Sequence, residues 1–150
     1  MIEILCPTPA DTQALAARLA AYVRHGDVII LVGGLGAGKT LFAGGLATGL
    51  GVEEPVISPS YVLIRQYDSG FLPLYHVDVY RLSSLNEMDD LDVFQLARDG
   101  VLVLEWGDAV EGMLPEDLLR IEFDVHHDQA RAIRLIPQGA WVNRELGVAT

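Results

Sequence analysis

The sequence predicts a mixed α/β fold with a mostly parallel central sheet and antiparallel strands at its edge, on three observations. Val28–Val32 and Val101–Leu104 are short runs with no polar face, the pattern of a strand buried on both sides of a parallel sheet. Apolar residues at helical spacing flank the first run, and a glycine-rich loop joins that run to the second helical stretch. Two other pairs of strand-like segments surround turn residues and read as antiparallel neighbours.

In chain order, Ile2–Cys6 reads as a strand. Thr8 then caps a helix, with Pro9 at the first helical position and Asp11 three residues after the cap, as in a capping box. Leu15, Leu19 and Val23 share one face of that helix until Gly26 stops it. After Val28–Val32 and the loop Gly33–Thr40, Phe42, Leu46 and Leu50 line a second helix closed by Gly51. Val62–Tyr67 and Leu72–Val77 predict a hairpin turning at Asp68-Ser69-Gly70. An acidic helix is expected over about Leu85–Arg98, stopped by Gly100, before the second apolar strand runs into Glu105. Beyond Pro115, Leu118–Val125 and Ala130–Ile136 read as strands around a His126–Gln129 turn. No repeat or linker interrupts the pattern, so one domain over residues 1–150 is expected.

Composition narrows the function classes. With 51% apolar and 21% charged residues and a mean hydropathy of +0.30, the chain can build a core and is not of the disordered class. Its longest apolar run is far shorter than the ~18 residues of a membrane span, and Met1 leads straight to Glu3 without a basic leader, so a cytoplasmic protein without a membrane partner is expected. One cysteine, Cys6, allows neither an internal disulfide nor a cysteine-based zinc site. A net charge of −11 argues against a broad nucleic-acid-binding face. Of the ten basic residues nine are arginines, at 18, 24, 65, 81, 98, 120, 131, 134 and 144, and Lys39 is the only lysine.

That lysine belongs to Gly33-Gly34-Leu35-Gly36-Ala37-Gly38-Lys39-Thr40, which fits the pattern G-x-x-x-x-G-K-[ST] and lies between a buried-type strand and a helix, the context the motif requires. Glycines let successive backbone N–H groups face one phosphate, and the helix that follows points its positive dipole end at the same charge. Lys39 reaches the β and γ phosphates in this reading, and the Thr40 hydroxyl holds magnesium. A compact ammonium suits such a cradle better than a guanidinium fork, and this is the one place where the chain departs from arginine. The expected architecture is therefore a P-loop NTPase-like three-layer fold.

Phosphoryl transfer also needs carboxylates at strand ends, and two apolar runs supply them: Leu74–Val77 leads into Asp78, and Val101–Leu104 into Glu105. The acidic group Glu87, Asp89, Asp90 and Asp92 lacks metal-ligand spacing and reads as a solvated helix face. A guanine-reading GTPase would need a second lysine in its base-recognition motif, which leaves a small ATPase or a small-molecule kinase.

Three separated segments resemble the TsaE family, also called YjeE, the small bacterial ATPases of tRNA threonylcarbamoyladenosine (t6A) biosynthesis: Gly36-Ala37-Gly38-Lys39-Thr40, Ser58-Pro59-Ser60-Tyr61 and His76-Val77-Asp78-Val79-Tyr80-Arg81. Glu105-Trp106 is a fourth match, and order and spacing agree over nearly the whole chain. The resemblance implies a magnesium-dependent ATP hydrolase that works with the TsaB and TsaD proteins and leaves tRNA to them. It further implies that Gly36, Ala37, Gly38, Lys39, Thr40 and Leu41 bind the nucleotide, that Thr40 and Glu105 hold magnesium, and that Asp78, with Lys39 and Glu105, serves turnover. Ser60 would contact the γ-phosphate from a switch, Trp106 would lie close to the nucleotide, and Thr8 is expected near the adenine. Trp141, the other tryptophan, reads as a packing residue. The chain departs from the family's usual pattern at Gly34 (commonly Asp), Leu41 (commonly Thr), Ser60 (usually Thr) and Gly107 (often Pro). Two alternatives to the hydrolase stand beside it: a nucleotide-dependent binding module without turnover, and a kinase, although no arginine cluster suggests a kinase lid.

Overall fold

The computed structural model describes residues 1–34, 36–57, 64–79, 92–105, 112 and 114–148. The chain runs β1 (Ile2–Cys6), α1 (Pro9–Leu19), β2 (Val28–Val32), α2 (Lys39–Gly49), β3 (Ile64–Tyr67), β4 (Leu74–Asp78), α3 (Val93–Leu96), β5 (Val101–Glu105), β6 (Leu118–Val125) and β7 (Arg131–Gln138), with 3-10 turns at Ala20–Tyr22, Ala97–Asp99 and Gly139–Asn143. The seven strands form one sheet in the order β1-β7-β6-β2-β5-β4-β3. The four central strands, β6, β2, β5 and β4, are mutually parallel, and β3, β7 and β1 pair antiparallel towards the two edges. The mixed α/β architecture follows the sequence expectation.

Alternate residues of the central strands serve two cores. Ile29 and Leu31 of β2 face the α1–α2 layer with Leu15, Leu19, Phe42 and Leu46, whereas Val28 and Ile30 face the layer of α3, with Val93 and Ala97. That two-sided burial is why β2 and β5 are apolar without alternation, while edge strand β1 alternates half-buried with exposed residues. Trp141 is buried in the α1–α2 core, as its packing role required.

Helix α1 begins at the predicted capping box, with Thr8 and Asp11 bonded reciprocally. Of the predicted hairpin Val62 and Leu63 lie outside the described residues; from Ile64 on it forms, but its connection runs from Asp68 to Pro73: proline has no N–H for the ladder, so β4 starts at Leu74 and not at Leu72. The Phe71 N–H instead donates to the Leu50 carbonyl at the end of α2. Of the acidic helix expected over Leu85–Arg98, residues up to 91 lie outside the described residues, and α3 covers Val93–Leu96. Strand β7 begins one residue later than expected, after a turn closed by Gln129 at φ 69° and by the His126 N–H on the Ala130 carbonyl at 2.9 Å.

Candidate active site

The C-terminal ends of β2, β4 and β5 lie side by side with the N-terminus of α2, because α2 follows β2 directly through the glycine loop. Gly36 and Gly38 adopt φ of +76° and +106°, the left-handed region open to glycine, and a Cβ on either would meet no atom within 4 Å. Glycine is thus required here by backbone conformation and not by crowding. Ala37 is buried and anchors the loop in the core, its N–H donating to the Gly34 carbonyl at 3.1 Å. Gly38 provides no side-chain cap, and helix geometry leaves the first-turn N–H groups, including those of Lys39, Thr40 and Leu41, without intrahelical acceptors. Free backbone donors at the positive end of an eleven-residue helix are suited to accept an anion. The Leu41 side chain is half-buried and apolar, so any contact it offers a nucleotide is through its backbone.

The two predicted acids meet across the sheet: Asp78 of β4 pairs with Glu105 of β5 in parallel register. Glu105 is only 4% exposed, and its carboxylate accepts the Thr40 hydroxyl at 3.2 Å. It is also bonded to the Nε2 of His76, a fully buried imidazole two residues before Asp78 on the same strand. A buried carboxylate is costly without such donors. Asp78 is half-buried, and its pKa is raised first by burial and then by the charge of Glu105, against the smaller opposing effects of Lys39 and His76. Lys39 and Thr40 at the start of α2 thus meet two acids distant in sequence at one end of the sheet, Thr40 bonding Glu105 while Lys39 and Glu105 act on Asp78.

Thr40 and Glu105 present hard oxygen donors in contact with each other, a set that fits magnesium, which takes one or two protein oxygens and fills its shell with water and phosphate. Among the described residues no group of three or more His, Cys, Asp or Glu is placed to hold a metal ion. Thr8 lies just past the C-terminal end of β1, which runs in the same direction as β2 and so ends at the same end of the sheet, but its hydroxyl is committed to Asp11 at 2.8 Å. Ser60 and Trp106 lie outside the described residues.

Two residues at the site had no role in the sequence reading. His76 sits within a quoted motif, but only the neighbouring strand reveals that it braces Glu105. Arg131, the first residue of β7, donates from its guanidinium to the carbonyls of Ala37 at 3.0 Å and Gly36 at 3.2 Å. Neither pairing leaves a local signal, since each joins residues from different elements.

The family model "Threonylcarbamoyl adenosine biosynthesis protein TsaE" matches residues 6–133. The chain belongs to the TsaE family. It is 41% identical over 131 residues to the tRNA threonylcarbamoyladenosine biosynthesis protein TsaE of Bacillus subtilis, covering 87% of this chain and 82% of that one. With the TsaE protein of Streptomyces coelicolor it shares 48% identity over 115 residues, 75% of this chain and 78% of the relative. The crystal structure of YdiB from Bacillus subtilis superposes with a TM-score of 0.78 at 37% identity, covering 92% of this chain and 86% of the other. A usual TsaE aspartate at position 34 would find open space here, since a Cβ on Gly34 meets nothing within 4 Å. Among the described residues, no helix is long and apolar enough to cross a membrane.

Proposed function

We propose that this chain binds ATP with magnesium at the Gly33–Thr40 loop and hydrolyses it in support of t6A biosynthesis, acting on a complex of the TsaB and TsaD proteins in the cytoplasm. The observation that carries the reading is the convergence of Thr40, Glu105 and Asp78 beside the open N-terminus of α2. Backbone N–H groups of the loop and first helical turn take the phosphate oxygens, and Lys39 adds the point charge. Thr40 and Glu105 would hold the magnesium ion, and when bound that ion neutralises charge on the β and γ phosphates. His76 keeps the Glu105 carboxylate turned towards Thr40. Asp78, whose raised pKa makes it a better proton acceptor than an ordinary carboxylate, orients the attacking water. Membership of the TsaE family supports the t6A role.

The test is ATP hydrolysis measured with and without TsaB and TsaD. Slow turnover, stimulated by the two proteins and indifferent to small-molecule acceptors, is the expected result. Bound ATP without turnover in either condition would replace hydrolysis by a binding role. Because Lys39 is the only lysine, amine-directed labelling read by peptide mass spectrometry checks the site independently. ATP or ADP should protect Lys39 strongly and adenosine weakly, and labelling unchanged while ATP is bound would remove Lys39 from the phosphates.

A further inference from the structure

The phosphate loop has little of its own to hold its shape. Gly36 and Gly38 carry no side chains and border open space, and among the described residues between Gly34 and Lys39 Ala37 alone is buried. What grips the loop from outside is Arg131. The antiparallel return of β7 brings its first residue opposite Val125 of β6 and Cys6 of β1, at the end of the sheet where the loop leaves β2. From there Nε donates to the Ala37 carbonyl at 3.0 Å and Nη2 to the Gly36 carbonyl at 3.2 Å, while Nη1 donates to the Gln129 carbonyl in the turn beside it.

We propose that Arg131 is a positioning residue that holds the loop in its anion-accepting shape before ligand arrives, an inference that rests on reading this loop as the nucleotide site. A peptide unit is planar and trans, so fixing a carbonyl on one side fixes the next N–H on the other. Holding the Gly36 carbonyl therefore aims the Ala37 N–H, which closes the loop turn on the Gly34 carbonyl at 3.1 Å. Holding the Ala37 carbonyl aims the Gly38 N–H away from Arg131, at the entrance to α2. A planar fork serves two successive carbonyls from fixed directions; a lysine ammonium at this position keeps the charge but, as a flexible point charge, loses that fixed geometry. Without the brace the loop samples other shapes, and apparent affinity falls by the fraction of time it is competent.

The test compares Arg131→Met, Arg131→Lys and, as a control on the same strand, Arg134→Met, whose guanidinium pairs with Glu122 and Glu3 and not with the loop. Binding of Mg-ADP is measured by calorimetry, and amide exchange at Ala37 is followed in the ligand-free proteins. Arg131→Met should weaken Mg-ADP by roughly tenfold or more and speed exchange at Ala37, with Arg131→Lys recovering part of the affinity and Arg134→Met leaving both unchanged. If Arg131→Met does not fold, Arg131→Lys must still show weakened binding and faster exchange. Wild-type affinity and exchange in the Arg131 variants would overturn the proposal, as would an equal loss in Arg134→Met, which would reduce the effect to support of β7. Should the unmodified chain bind no nucleotide, the proposed function fails, and exchange at Ala37 still decides whether Arg131 holds the loop.

Discussion

Asp78 is a carboxyl that the fold holds more easily as a neutral acid, because burial and the charge of Glu105 raise its pKa by more than Lys39 and His76 lower it. The folded chain then binds the Asp78 proton more tightly than the unfolded chain does. Stability from this group is greatest in acid and declines as pH rises through the carboxylate range to the raised folded value. Asp78→Asn removes the charge and keeps the shape. The ligand-free variant should therefore melt at a higher temperature than the wild type at pH 7, with the gap closing towards acid, as thermal melts over a pH series would show. In the presence of the partner proteins its ATP turnover should fall on the order of a hundredfold while nucleotide affinity changes little. A lower melting temperature at pH 7, or undiminished turnover, would contradict this account of Asp78. The same juxtaposition that raises the Asp78 pKa makes its charged form unfavourable to fold.

Helices α1 and α2 approach so closely that two glycines of α2 become structural. A Cβ on Gly45 would stand 2.6 Å from the Gln13 carbonyl oxygen and 2.9 Å from the Ala16 Cβ, and one on Gly49 would stand 2.6 Å from the Ala17 carbonyl oxygen. These neighbours are mainly backbone and cannot yield without moving α1, whose capped start and buried Leu15 and Leu19 fix it on the sheet. Gly44, on the adjoining face of α2, has only the Val56 Cβ at 4.0 Å. The same substitution should act in opposite senses at the two adjacent positions. Gly44→Ala should stabilise by about 0.5–1 kcal/mol through helix propensity, and Gly45→Ala should destabilise by roughly 1–3 kcal/mol through overpacking. Urea unfolding measures both; two changes of the same sign would mean that the helices are not in this contact. Because α2 carries the glycine loop at its N-terminus, this close packing also sets where the loop stands over the sheet.

At the scale of the molecule, the net charge of −11 is arranged so that several described arginines are spent inside the structure. Arg144 makes a two-pronged pair with Asp27 at 2.7 and 3.2 Å and stacks over Trp141 at 3.9 Å, strapping the C-terminal segment to the entrance of β2. Arg18 donates to the Val148 carbonyl, Arg134 pairs with Glu122, and Arg131 holds the loop. Among the described residues those left outward are predominantly acidic, and the chain's net charge is −11, so the chain alone should not retain labelled tRNA in a filter-binding assay at about 0.1 M salt, where counterion release gives basic proteins their affinity. Retention that falls steeply with added salt would show a basic surface that this charge distribution does not provide.

The sequence by itself determined what is local. The capping box at Thr8, the all-apolar strands β2 and β5, the glycine loop with its lysine, and the acids closing β4 and β5 each depend on neighbours within a few residues, where propensity and period act directly. Tertiary structure decided which of these elements lie side by side. Strand order placed β4 against β5, so that Asp78, Glu105 and His76 meet. The antiparallel return of β7 brought Arg131 to the loop, and the closeness of α1 turned Gly45 from a weak helix former into a necessary one. A hydrophobic period says which face of a strand or helix is buried but carries no information about what it is buried against, because apolar attraction is non-directional and the backbone groups that join strands are carried by nearly every residue.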